Sequence, residues 1–217
     1  MSNVKPALKD FFTKFKFLFY VILHPFKGFW ELKHDKQGST KVAFTLVVLY
    51  ILSDIIYKQF AAYSFNPYAA MPENIDLLQT ILSTGVILVL WCYANWGLTT
   101  LFNGEGTIKD VFIYTTIALV PLILSNLILA PISNIMSIDE IEIFNAVQTF
   151  ATIWAGILIY TGTMVTHQYG TIATAVIIIF VILGMAIIAF MAMMFFFLLQ
   201  TLFNVFYVIY RELQLRY

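Results

Sequence analysis

The stretch NWGLTTLFNGEGTIKDVFIYTTIALVPLIL, from Asn95 to Leu124, decides how this chain is built. Two long apolar runs meet in a polar knot, Asn103–Asp110, which holds two glycines and three charged residues. As a phosphate loop the knot fails. A P-loop needs G-x-x-x-x-G-K-[ST], and a dinucleotide fold needs G-x-G-x-x-G after a strand. As a turn between two membrane helices it is fully accounted for. Gly104 and Gly106 supply turn backbone, Thr107 caps the following helix, and Asp110 closes a capping box from its third position. Pro121 sits inside the second run, where it lacks an amide donor. It is expected to kink that span and to free a carbonyl one turn earlier.

Composition names the solvent for those runs. Of 217 residues, 61% are hydrophobic and 11% charged, where an ordinary soluble domain carries about a quarter charged. A soluble fold of this size could not hide so much apolar surface. Runs of about 20 apolar residues recur, each long enough to cross about 30 Å of hydrocarbon. The expected fold is all-α, a polytopic bundle of about five transmembrane helices preceded by an amphipathic interfacial helix. The formal net charge is zero, which leaves no basic face for nucleic acid.

Three regions are expected. Residues 1–41 form an amphipathic, interfacial flank. Residues 42–210 form the transmembrane part, with spans near 42–63, 77–102, 111–132, 144–165 and 172–193, the last extended as a helix to 210. Residues 211–217 form a tail. No small-residue cleavage site follows an apolar run in the first 30 residues, so no signal peptide is expected. Cys92 is the single cysteine and lies in an apolar run, which argues against disulfide or thiolate-metal chemistry.

Within residues 5–23, Lys5, Lys9, Asp10, Thr13, Lys14 and Lys16 share one side of a helical wheel. Leu8, Phe11, Phe12, Phe15 and Phe19 share the other. Such a helix lies in the headgroup plane, and anionic headgroups add about 1 kcal/mol per surface lysine. Pro25 ends it and restricts His24. The segment HPFKGFWELKHDKQGS (His24–Ser39) reads as a polar surface stretch, with Phe26, Phe29 and Trp30 as interfacial anchors. SFNPYAAMPEN (Ser64–Asn74) reads as turn punctuation, and SIDE (Ser137–Glu140) as a capping box before the fourth span.

Orientation follows from the basic residues. Eight of the twelve Lys and Arg precede the first span, whereas residues 64–76 and 136–148 hold five acidic residues and no basic one. The positive-inside rule places the amino terminus and the Asn103–Asp110 knot in the cytoplasm. The far end allows two readings. Ile172–Tyr210 would span about 58 Å as one helix, enough for two crossings, yet AFMAMMFFFLLQ (Ala189–Gln200) holds no turn residue. Gln200, Asn204, Tyr207, Arg211 and Gln214 form one helical stripe that suits either an aqueous interface or a bundle interior.

The segments HPFKGFWELKHDKQGS, FNPYAAMPENIDLL and LWCYANWGLTTLFNGEGTIKDVFIYTTIALVPLIL, in this order, resemble the Yip-one domain family, named for Ypt/Rab-interacting proteins, in its short bacterial branch. The succession Asn95-Trp96, Gly104-x-Gly106, Lys109-Asp110, Ala118-x-x-Pro121 carries the resemblance, which covers nearly the whole chain. It implies five spans, a cytoplasmic amino terminus and a bacterial cytoplasmic membrane. It implies a trafficking adaptor in eukaryotes and, for bacterial members, an accessory role beside a carbohydrate ABC transporter. The chain departs from the eukaryotic branch in lacking the long soluble amino-terminal region, so Rab binding is not expected to carry over.

Few residues look chemical. Asp54 and Lys58, at i and i+4 in a span, read either as a proton path or as a mutually neutralised pair whose lysine snorkels outward. Asn95, Asn126, Gln148 and Gln200 are explained by interhelical hydrogen bonds of about 0.6 kcal/mol each. Ala151-x-x-x-Ala155 with Gly156 offers a close-packing face for self-association or for internal packing. His24, His34 and His167 form no spaced motif, and no H-E-x-x-H, G-x-S-x-G or C-x-x-C occurs. No cofactor or metal is expected. The leading expectation is a non-enzymatic integral membrane protein that organises or stabilises a membrane-protein partner or lipids. The alternative is a small transporter or channel subunit with a path lined by Asp54, Pro121 and Asn126, although no counterpart to the proline-broken span suggests an inverted repeat.

Overall fold

The computed structural model describes residues 4–35, 38–62, 65 and 77–216, with the backbone alone at 4–12, 14, 213, 215 and 216. The described residues form helices and no strand. In chain order these are α1 (Val4–Leu23), α2 (Pro25–His34), α3 (Thr40–Phe60), α4 (Leu77–Leu101), α5 (Ile108–Ala118), α6 (Val120–Ile132), a 3-10 turn (Ile138–Glu140), α7 (Ile141–His167) and α8 (Thr171–Arg216). Five stretches are long and apolar enough to cross a membrane: α3, α4, α5 with α6, the 3-10 turn with α7, and α8. The chain is a multi-pass, all-α membrane protein. The Pro67 and Pro72 turn signals lie outside the described residues.

The third crossing is the axis of the bundle. In its most apolar stretch 61% is buried, against 11–22% in the other four. Val111, Tyr114, Ile117 and Ala118 of α5 and Val120 and Ile123 of α6 occupy the centre of the main core. Around them pack Val42 and Leu46 of α3, Cys92 of α4 and Leu158 of α7. Pro121 divides this crossing as its chemistry requires. α5 ends at Ala118, Leu119 has φ −77° and ψ −15°, and helical bonding resumes where the Ile123 amide donates to the Leu119 carbonyl at 3.0 Å.

Alternating passes give the bundle two ends. At one end sit the α1–α2 hairpin, the α4–α5 knot and the α7–α8 turn. At the other, α6 closes α3. Ser133 Oγ accepts the Ala62 amide at 2.9 Å, and Asn134 Nδ2 donates to the Phe60 carbonyl at 2.8 Å. Ser137 and Glu140 form the expected capping box there, the Ser137 amide donating to the Glu140 carboxylate at 2.9 Å.

The described part of His24–Ser39 is a surface stretch on one side only, with Gly28 and Phe29 buried on the other. Pro25 opens α2, since proline fits the first helical turn, and α2 packs on α7. Phe29, expected at the lipid interface, is 1% exposed and meets Tyr114 edge-to-face at 6.3 Å. Phe26 and Trp30 do remain exposed. Helix spacing explains the split: Phe26 and Trp30 are four residues apart on one face, and Phe29 is turned from it by one residue. In α1, Leu18 and Val21 are buried with Phe15 part-buried beside them, while Phe19 is half exposed. The side chains of Lys5, Leu8, Lys9, Asp10, Phe11, Phe12 and Lys14 lie outside the described residues.

Residues 171–216 form one uninterrupted helix, which matches a single final crossing rather than two. At 46 residues it is about 69 Å long, more than twice the hydrocarbon thickness. Thr174, Ile177 and Val181 seat its first half against α4. From Ala186 onward no described side chain is buried, so the stripe from Gln200 to Gln214 faces outward. Ala151 and Ala155 turn into the bundle, whereas Gly156 faces open space.

Candidate functional site

The knot end gathers buried polar groups, among them Thr99, Thr166 and His167. α4 and α7 both end there, and both end alike. Asn103 (φ 58°) follows α4 and Gln168 (φ 57°) follows α7 in the left-handed conformation. The next amides reach back five residues, Gly104 to the Thr99 carbonyl at 2.8 Å and Tyr169 to the Met164 carbonyl at 3.1 Å. This is the Schellman closure, which satisfies carbonyls left over at a helix end.

The two turns then lock onto each other. Tyr169 Oη donates to the Thr99 carbonyl at 3.0 Å and lies 3.3 Å from that of Phe102, so a side chain from one helix end closes the other. His167 Nδ1 accepts the Gly106 amide at 3.3 Å. A neutral imidazole that accepts at Nδ1 carries its proton on Nε2. That atom is buried without a hydrogen-bond partner. The imidazole and the Tyr169 ring stack at 5.7 Å.

The expectation for the glycines is corrected here. Neither Gly104 nor Gly106 has a positive φ; Asn103 does. Asparagine tolerates this region because its short polar side chain bonds locally. What the glycines provide is space. A Cβ on Gly104 would lie 2.5 Å from Tyr169 Oη and 2.7 Å from His167 Nδ1, and one on Gly106 would lie 2.6 Å from His167 Cε1.

The remaining knot residues orient the start of α5 and tie it to α2. Asp110 accepts from the Thr107 amide at 2.9 Å and from Thr107 Oγ1 at 2.6 Å, so the capping box forms as expected. Glu105 pairs with Lys33 of α2 at 3.0 Å. Lys109 is exposed. Deeper in the same end, Trp91 Nε1 donates to Thr115 Oγ1 at 3.0 Å and the Tyr114 and Thr163 hydroxyls share a bond of 3.0 Å, joining α4, α5 and α7. Burial raises the Tyr169 phenol above the ordinary tyrosine range, which keeps it a donor to those carbonyls.

The other polar residues singled out by sequence are not brought together. Asp54 and Lys58 form their ion pair at 2.8 Å, both partly exposed, on the half of α3 far from the knot. Asn126 is buried in α6. Asn95 is fully buried, with neither polar atom of its carboxamide within hydrogen-bonding geometry of a partner. A cavity of about 240 Å³ at the knot and a groove of about 340 Å³ beside it are lined by neither Asp54, Pro121 nor Asn126. Among the described residues no three His, Cys, Asp or Glu side chains stand close enough to hold a metal ion.

His167 and Tyr169 are the principal residues that sequence spacing missed, because their partners lie 61 and 70 residues away. The available cue was topological. Alternate crossings must bring the Asn103–Asp110 and Gln168–Gly170 turns to one membrane face.

A family model described as the Yip1 domain matches residues 19–194. No curated protein matches the chain, and no solved structure matches it. The matched span begins late in α1 and ends within α8, so it contains α2, the knot, the interrupted third crossing and the latch at His167 and Tyr169.

Proposed function

The chain belongs to the Yip1 domain family, and on that premise we propose a non-enzymatic accessory role: it organises or stabilises a membrane-protein partner or lipids. One observation carries this reading. At the knot, polar side chains from several helices are engaged with one another and with helix ends: His167 with the Gly106 amide, Tyr169 with the Thr99 carbonyl, Lys33 with Glu105, Asp110 with Thr107. Such a network fixes the relative positions of α2, α5 and α7, as a scaffold needs. The outer half of α8, apolar and with no buried side chain among the described residues, favours a partner that covers it.

The finer reading places the protein in a bacterial cytoplasmic membrane with the knot end in the cytoplasm, supported by the seven basic residues before α3 and an eighth, Lys41, in its first turn. Its proposed partner class is a carbohydrate ABC transporter, which rests on the resemblance alone. The test is affinity capture of the full chain from native membranes in mild detergent. A stoichiometric transporter supports the role. A solitary protein that moves solute in proteoliposomes overturns it.

A further inference from the structure

Two cavities of opposite character meet at the start of α5. The inner one, about 240 Å³, lies between α2, α5 and the end of α7. Its polar wall holds Lys33, Thr40, Thr107, Lys109 and Asp110, over a floor that includes Phe29 and Tyr114. The outer one, about 340 Å³, is a groove between α3, α4 and α5, lined by Phe44, Leu88, Val89, Tyr93 and Phe112. Thr40 and Lys109 line both. Phe44, Val89 and Tyr93 are exposed, so the groove opens on the surface that faces hydrocarbon.

The junction carries charges of both signs, of which the Lys109 ammonium alone is without a bound partner among the described residues. The Asp110 carboxylate is held in the capping box by Thr107, and Lys33 is held by Glu105. Lys109 has neither an ion pair nor a hydrogen bond to its ammonium among the described residues, and it stands where the polar cavity passes into the apolar groove. A cation at the headgroup level above an apolar furrow matches an amphiphile with an anionic head. A soluble anion would leave the furrow unused, and a zwitterionic lipid would bring its own cation close to the Lys109 ammonium and so gain less from it.

We propose that this junction binds one anionic phospholipid, its phosphate on Lys109 at the mouth of the inner cavity and an acyl chain in the groove between α3 and α4. The site is distinct from the α1 flank and needs no protein partner, so it stands or falls apart from the accessory role.

Native mass spectrometry of the full chain in mild detergent, titrated with phosphatidylglycerol or phosphatidylcholine, tests it. One phosphatidylglycerol should be retained per chain in preference to phosphatidylcholine. Lys109→Ala should weaken that retention about fivefold, the factor one surface lysine adds to anionic-lipid attraction, and Lys109→Arg should restore it. Lys41→Ala removes an exposed lysine that lines neither cavity and should change nothing. Tyr93→Trp, an aromatic exchange in the groove, should be quenched by brominated phosphatidylglycerol more than by brominated phosphatidylcholine. Equal retention of the two lipids overturns the proposal, as does a Lys109→Ala chain that behaves like Lys41→Ala. Binding of glycerol 3-phosphate as strong as that of phosphatidylglycerol also overturns it, because the groove would then contribute nothing.

Discussion

The Nδ1 of His167 and the amide of Gly106 meet at 3.3 Å, joining two interhelical turns 61 residues apart. The contact is close enough to exclude any side chain at position 106, and the latch at this end of the bundle depends on it.

Gly106→Ala should therefore destabilise the protein by about 1–3 kcal/mol, the usual cost of forcing atoms into a packed site. Gly156→Ala is the matched control, since nothing lies within 4 Å of an added Cβ there. It should be neutral or slightly stabilising through helix propensity. Thermal unfolding in detergent micelles compares the two. Equal melting temperatures would mean that His167 and Thr166 can yield.

His167→Leu should leave the buried Gly106 amide without an acceptor, at a cost of about 1–3 kcal/mol. His167→Asn keeps an acceptor at a similar reach and should lose less. Hydrogen–deuterium exchange separates this from a global effect. The knot amides should exchange faster in His167→Leu while the amides of α6 keep their protection.

Lys33 and Glu105 couple α2 to the knot through a pair whose acid is 58% exposed. A double-mutant cycle with Lys33→Ala and Glu105→Ala should return less than about 1 kcal/mol, and the coupling should fall with added salt. A larger, salt-independent value would require a drier interface than the structure has.

Asp54 is committed to Lys58 at 2.8 Å on a partly exposed face. Proteoliposomes carrying Asp54→Asn should show the same proton flux as those carrying the native chain, both at the background of empty liposomes. A flux that the substitution abolishes would instead revive the channel alternative.

Topology is checked with introduced cysteines, for which the native Cys92 is suitably buried. Asn103→Cys and Gln168→Cys should be labelled from one membrane face, and Ser137→Cys and Gln214→Cys from the other.

The crossings were legible because length and apolarity are local properties that the bilayer reads directly, and five stretches of the structure are long and apolar enough to cross a membrane. The Thr107–Asp110 box, the Ser137–Glu140 box, the Pro121 break and the Asp54–Lys58 pair were legible for the same reason: each is complete within four residues. Phe29 was misjudged because an aromatic near a span end suits lipid or core equally, and only the docking of α2 on α7 decides its side. The glycines of the knot were correctly tied to a turn but for another reason. Their lack of a side chain answers to His167 and Tyr169, which no local pattern could supply.

The latch also sets an order of events during synthesis. Gly104 and Gly106 leave the ribosome well before His167 and Tyr169 exist. At about 5–20 residues per second, the 61 intervening residues take roughly 3–12 s. Over that interval the nascent α4–α5 hairpin must hold its place with no fastening from α7. Truncation before His167 would leave it so permanently.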